Sequence, residues 1–329
     1  MGGDHAPRSI IDGALAAARH LGVGLVLAGP SAILDAELAR HPDAAELDIR
    51  VADAPDVVGM EESPSTALRR KSRTSIRTAA DTVARGEAAA LVSAGNTGAT
   101  VMAAHASFGM LPGVDRPALA ATIPSGDHLG VLLDVGANAD GRAPHLLQFA
   151  VMGSVYAKVA LGIEDPRIGL LSIGEEEGKG NELIRDAHRL LKSSSLHFVG
   201  NVEARDVYKG GADVIVCDGF TGNIALKVSE GLVDTVERLL GEELSRTFSG
   251  MVGSLLSRRA FRRFSRKLDY SEHGGAPLLG VGAVCFVCHG RSSAKAIRNA
   301  VALAHRFATA GFLGRIGHEI AALSASKSA

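Results

Sequence analysis

The chain has 329 residues, 46% apolar and 22% charged, enough to build a substantial buried core in a soluble α/β protein. A formal net charge of −1 argues against nucleic acid as a general partner, because a phosphate backbone demands clustered positive charge, although one stretch near residue 260 is strongly basic. No run approaches the roughly 20 apolar residues that cross a bilayer, and Met1-Gly2-Gly3-Asp4-His5 lacks the basic region and apolar core of a signal peptide.

In chain order, short apolar runs predict strands at 23–28, 47–51, 89–93, 130–135, 168–173, 197–199 and 214–217. Longer Ala-rich patterns between them predict helices at 65–85, 97–108, 145–161, 182–192 and 222–240. The strand runs are continuously apolar rather than alternating, as parallel strands covered on both faces are. The expected fold is a doubly wound, mostly parallel α/β sheet in one catalytic domain over 1–329, in one lobe or two, with a helical protrusion at 245–270. Three cysteines are too few for a disulfide framework, which fits a cytoplasmic protein. Cys285 and Cys288 form a C-x-x-C inside the apolar strand Val284 to Cys288, where cysteine reads as a small hydrophobe and no second pair completes a zinc site.

Four predicted strands end in small polar turns that open helices: 93–98, 134–138, 173–176 and 217–223. Ligands of open α/β sheets gather at the carboxyl ends of strands, and a helix N-terminus favours negative charge. The chain has no G-x-x-x-x-G-K-[ST], and no G-x-G-x-x-G between a first strand and helix with a downstream acid. The turns therefore predict an anionic ligand without indicating ATP or NAD.

At these turns the sequence resembles the PlsX family of phosphate acyltransferases. The stretches that carry the likeness are MGGDHAP (1–7), VSAGNTG (92–98), LLDVGAN (132–138), IGEEEGKGNEL (173–183), GNVEARD (200–206) and CDGFTGNIALK (217–227). The resemblance implies a fold like isocitrate and isopropylmalate dehydrogenases and phosphotransacetylase, in a homodimer. It implies transfer of an acyl group from acyl carrier protein to inorganic phosphate, early in phosphatidic acid synthesis, with a membrane glycerol-3-phosphate acyltransferase as partner. Family members begin with a short strand before the MGGDHAP turn, whereas this chain starts at the turn. A central strand is costly to omit, so a start placed too far downstream is the expectation.

The implied reaction needs neither metal, cofactor nor covalent nucleophile. Phosphate is already ionised, and a thiol of pKa about 8.5 leaves readily as thiolate. The protein's task is positioning and oxyanion stabilisation. Gly95, Asn96, Thr97 and Gly98 are candidates for a phosphate or oxyanion cradle, against an ordinary capped turn with Thr97 as the cap. Asp218, Gly219, Thr221, Gly222 and Asn223 follow the same logic, with Asp218 orienting a donor. Lys179, between Gly178 and Gly180, offers an ammonium to phosphate, against a plain charged loop. His5 reads either as a proton donor to the thiolate or as a cap before Pro7. Asp134 and Asn138 are candidates to line the cleft, and His145 is expected to be structural. Arg69, Arg70 and Lys71 read either as a carrier-protein patch or as a solvated helix face.

Arg258, Arg259, Arg262 and Arg266 alternate with Phe261 and Phe264 in a basic amphipathic stretch. It suits an anionic membrane surface, the acidic carrier protein or a dimer partner. Two other functions stay open: a phosphotransacetylase-like enzyme using acyl-CoA, and a membrane scaffold with a vestigial cleft.

Overall fold

The computed structural model describes residues 1–261 and 274–326. It opens with α1 (Arg8–Leu21), β1 (Leu25–Gly29), α2 (Ser31–Leu38) and β2 (Ile49–Asp53). β1 and β2 pair in parallel as a separate two-stranded sheet, not as members of the main one. The main sheet then begins with α3 (Pro64–Arg70), α4 (Ser75–Ala84), β3 (Ala90–Ser93), α5 (Thr97–Phe108), β4 (Ala118–Ser125) and β5 (His128–Leu133). It continues through α6 (Ala143–Tyr156), β6 (Ile168–Ser172), α7 (Glu182–Lys192), β7 (Phe198–Glu203), β8 (Val214–Val216), α8 (Gly219–Ser245) and α9 (Phe248–Leu256). β9 (Ala276–Leu279), β10 (Val284–Val287), α10 (Ala294–Thr309) and α11 (Phe312–Ser326) complete it.

Eight strands lie in the order β3-β10-β9-β4-β5-β8-β6-β7. Pairing is parallel within β3-β10 and within β5-β8-β6-β7. It is antiparallel at β10-β9, β9-β4 and β4-β5. Three reversals mean that β3 and β10 run opposite to β5, β6, β7 and β8. The sequence predicted neither β4 nor β9. β4 reads Ala-Leu-Ala-Ala-Thr-Ile-Pro-Ser, and alanine and proline are poor strand formers.

The continuous apolar runs are explained by burial on both faces. Val131, Leu133, Val214, Val216 and Phe286 pack into one cluster with α6, α7 and α11. Leu132, Ile215, Leu119 and Cys285 point the other way, onto α3, α4 and α5. Under the first face Phe307 makes edge contacts with Tyr156 and Phe286, and Tyr156 closes its hydroxyl on Thr122 at 2.6 Å. Cys285 and Cys288 fall in different clusters, and burial pushes both thiols up to about 12, so they behave as small hydrophobes.

The single helix predicted over 65–85 is two. Thr74 leaves the helical path to bridge Asp56, and its hydroxyl then accepts the Arg77 amide as the cap of α4. The helix predicted over 145–161 ends its regular turns at Tyr156 and closes in a wider π turn before Gly162, which takes φ +72.

A cavity of about 460 Å³ lies between β1 and β3, roofed by α1, α4 and α10. Among the described residues β1 pairs only with β2, and β3 only with β10, so both edges face this space unpaired. A void of that size leaves its lining without partner atoms. Ala79 of α4 lines it. Ala79→Leu is expected to add about 1 kcal/mol to the unfolding free energy, read as a higher urea midpoint. An unchanged or lower midpoint would show that α4 cannot use the space.

Candidate functional site

The strand reversal divides the predicted site residues into two groups. Turns 134–138, 174–180 and 218–223 follow β5, β6 and β8, which are parallel neighbours, so these three turns share one sheet edge. Turn 95–98 follows β3 and leaves at the opposite edge. Three strands intervene, and at about 4.8 Å per spacing β3 lies roughly 19 Å from β5. One phosphate cannot touch both.

In the first group, three helix starts converge. Gly141, just before α6, packs against Leu146 of α6, Leu183 of α7 and Asp218 at the head of α8. Each helix is capped: Asn181 accepts the Ile184 amide, Asp218 accepts the Thr221 amide, and His145 accepts the Arg142 amide. His145 is therefore structural, as expected, and burial holds it below the ordinary imidazole range. The amides that open each helix have no intrahelical acceptor, and the three dipoles present their positive ends to one region. Lys179 is exposed in the loop between β6 and α7, its aliphatic stem folded over Gly174. Asn223 is exposed one turn into α8, facing Gly136.

Asp134 departs from the sequence expectation. It is fully buried and turned away from the cleft. Its Oδ1 accepts the amides of Leu119, Gly136 and Ala137, and its Oδ2 accepts the Asn138 amide and side-chain Nδ2. Burial pushes the carboxyl above its usual range, against five donors that favour its charged form. Asn138 spends its side-chain amide on Pro117 O and Asp134. Both residues therefore shape the turn rather than contact a ligand through those groups. The Thr221 hydroxyl likewise donates to Asp218. Gly219 and Gly222 are glycines because α8 starts hard against this turn: a Cβ would stand 2.4 Å from Asn138 O and 1.9 Å from Asp134 O, respectively.

The second group gathers the N-terminal turn, turn 95–98 and the end of β10. The Asp4 amide donates to Gly290 O at 2.9 Å. Asn96, not Thr97, caps α5 through the Ala99 amide, and its Nδ2 is held by the carbonyls of Gly59, Met60 and Glu62. That amide is not available to an anion, and Gly98 is small because Pro64 packs on it. His5 is exposed here, beside the Asp4–Gly290 contact in the second group. Lys71 is bound to Glu62 and Val57 O, while Arg69 and Arg70 stay exposed.

Two features were missed from sequence. His289 follows β10, and its Nδ1 accepts the Arg291 amide. Burial holds it below the usual imidazole range, helped by Lys227 and Arg291 and opposed by Glu230 and Asp4. Lys227 and Glu230 belong to α8, so that helix starts in the first group and reaches the second. The signal was available in His289-Gly290-Arg291 placed directly after a strand. The other missed feature is the buried contact of His188 with Asn201.

Of the basic stretch, Arg258 and Arg259 are exposed and Phe261 is half-buried, while Arg262, Phe264 and Arg266 lie outside the described residues. Among the described residues no helix is long and apolar enough to cross a membrane, and no group of three His, Cys, Asp or Glu is placed to hold a metal.

Comparison with known proteins follows the same lines. A family model described as "Fatty acid synthesis protein" matches residues 1–315. A phosphate acyltransferase of Geobacter sp. (strain M21) is 48% identical over 320 residues, covering 97% of this chain and 91% of the relative. One from Syntrophotalea carbinolica is 51% identical over 304 residues, covering 92% and 87%. A phosphotransacetylase structure from Streptococcus pyogenes superposes with TM-score 0.64 at 18% identity, covering 92% of each chain, which shows a shared fold.

Asp134→Asn tests the turn. Either amide orientation sets an NH₂ against at least two N–H donors, so the substitution is expected to cost about 2–3 kcal/mol in denaturant unfolding. Wild-type stability would mean that the five donors do not depend on the carboxylate.

Proposed function

Because the chain belongs to the PlsX family of fatty acid synthesis proteins, a family of phosphate acyltransferases, we propose that it makes long-chain acyl-phosphate. The donor is the thioester of acyl carrier protein, the acceptor is inorganic phosphate, and the product feeds phosphatidic acid synthesis. A phosphate oxygen attacks the thioester carbonyl carbon, the resulting oxyanion collapses, and the C–S bond breaks with its electron pair leaving on the carrier thiolate. The supporting observation is the meeting of three helix starts around Gly141 with Lys179 in the adjoining loop. Phosphate sits against the amides that open α8, beside Lys179 and Asn223, where helix dipoles and an ammonium offset its charge. The thiolate leaves without His5.

α8 carries an exposed apolar stripe at Phe220, Ile224, Val228, Leu232 and Val236, spaced four residues apart. A contiguous exposed stripe of this kind marks an interaction surface. It is assigned to a second copy in a homodimer. The exposed Leu255 and Leu256 beside Arg258 and Arg259 are assigned to the inner face of the cell membrane, near a glycerol-3-phosphate acyltransferase.

The test is phosphate-dependent release of carrier thiol from long-chain acyl carrier protein, with acyl-CoA in parallel. Lys179→Ala is expected to lower kcat/KM about 100-fold on the carrier-protein donor. Turnover only on acyl-CoA would favour a phosphotransacetylase, the reading the shared fold also suits. No turnover on either donor would leave the scaffold. Leu232→Asp is expected to shift the protein from dimer to monomer in light scattering, and an unchanged mass would remove the stripe from the interface.

A further inference from the structure

The loop that carries Lys179 is held from beneath by two buried polar side chains that play no part in the chemistry proposed above. Asn201 lies in β7 beside Leu170 of β6, at 8% exposure, and His188 lies in α7 at 5%. The Asn201 Nδ2 donates to Glu176 O at 2.9 Å, and its Oδ1 faces His188 Nδ1 at 2.9 Å. The same Glu176 carbonyl accepts the Lys179 amide at 3.0 Å, closing the turn that presents the lysine.

These bonds fix one another. A backbone carbonyl can only accept, so Asn201 must turn its NH₂ toward Glu176 and its oxygen toward the imidazole. His188 must then carry its proton on Nδ1 and donate it to Asn201. The ring cannot swing away, because Phe198 packs against it edge-on with centroids 5.0 Å apart. Glu177, itself bound to Lys192 at 2.7 Å, stands 4.0 Å from the other ring nitrogen. Two buried residues from different elements therefore fix one carbonyl of an otherwise exposed, glycine-flanked loop.

We propose that His188 and Asn201 are positioning residues that set the Glu176 carbonyl, and through it the Lys179 turn, for phosphate. The inference rests on the reading of Lys179 as the phosphate-facing ammonium. Without the pair, Glu176 O keeps only its turn bond, and the lysine samples positions away from the α8 start. Misplacement of about 1 Å costs up to 100-fold in rate.

Asn201→Asp separates this role from simple packing. It is isosteric and keeps an oxygen for His188, yet it cannot donate to Glu176 O. Acyl-phosphate formation is measured for Asn201→Asp, Lys179→Ala and the double variant, with thermal unfolding of each. The expected result is a fall of about 10- to 100-fold in kcat/KM for phosphate in Asn201→Asp, measured well below its unfolding midpoint, which the buried carboxylate facing Glu176 O lowers. Added to Lys179→Ala, the same change is expected to have no further effect, since residues acting as one unit are not additive. Wild-type activity in Asn201→Asp, or an equal fall in both backgrounds, overturns the proposal while leaving Lys179 in place. Wild-type activity in Lys179→Ala overturns the reading of Lys179 and the positioning role with it.

Discussion

Two antiparallel strands in the middle of the sheet govern everything around them. β4 and β9 separate the parallel set β5-β8-β6-β7 from the parallel pair β3-β10, and each half then runs opposite to the other. Crossover helices start where strands end, so the reversal sends one set of helix N-termini to one edge and the second set to the other. The polar turns that look alike in sequence therefore serve two places. α8 joins them, beginning against the Asp134 turn and bringing Lys227 and Glu230 toward His289.

Within the first group the Asp134 carboxylate does the fastening. It ties the end of β5 to the start of β4 through Leu119 and folds the following turn around itself. α8 then packs against that turn so closely that only glycine fits at 219 and 222. A buried carboxylate is costly unless its oxygens are fully used, and five donors use them here. The price is that Asp134 is unavailable to substrate. In the proposed reading, phosphate is met by backbone amides at helix starts, the Asn223 side chain and Lys179.

Such a site has little covalent chemistry to perform. In the proposed reaction phosphate arrives as an anion and the thiolate departs without strong acid, so catalysis reduces to placing charge and holding geometry. That places the demands on the loops, and the loops are held from below. Asn201 reaches from β7 to a loop carbonyl, much as Asn96 reaches across to three carbonyls on the other side of the sheet. In both cases an asparagine in the core of the fold organises a backbone that would otherwise be free.

The sequence alone determined the α/β class, because apolar runs buried on both faces and Ala-rich helices between them have few other solutions. It also located the turns, the inert cysteines Cys285 and Cys288 and, through the resemblance in its motifs, the family. It did not show β4 or β9, whose Ala- and Pro-containing runs carry no strand signal and are held only by their neighbours. Without those two strands the reversal between β3-β10 and β5-β8-β6-β7 is invisible, and the polar turns after β3 and β5 read as neighbours at one end of the sheet. Asn96, Asp134 and Asn138 read as ligand-facing for a related reason: a polar residue after a strand can turn outward to substrate or inward to bare amides. Local pattern is the same in both cases. Only the tertiary structure, by setting which unpaired donors lie within reach, decided that these three turn inward and that Lys179 and Asn223 remain exposed.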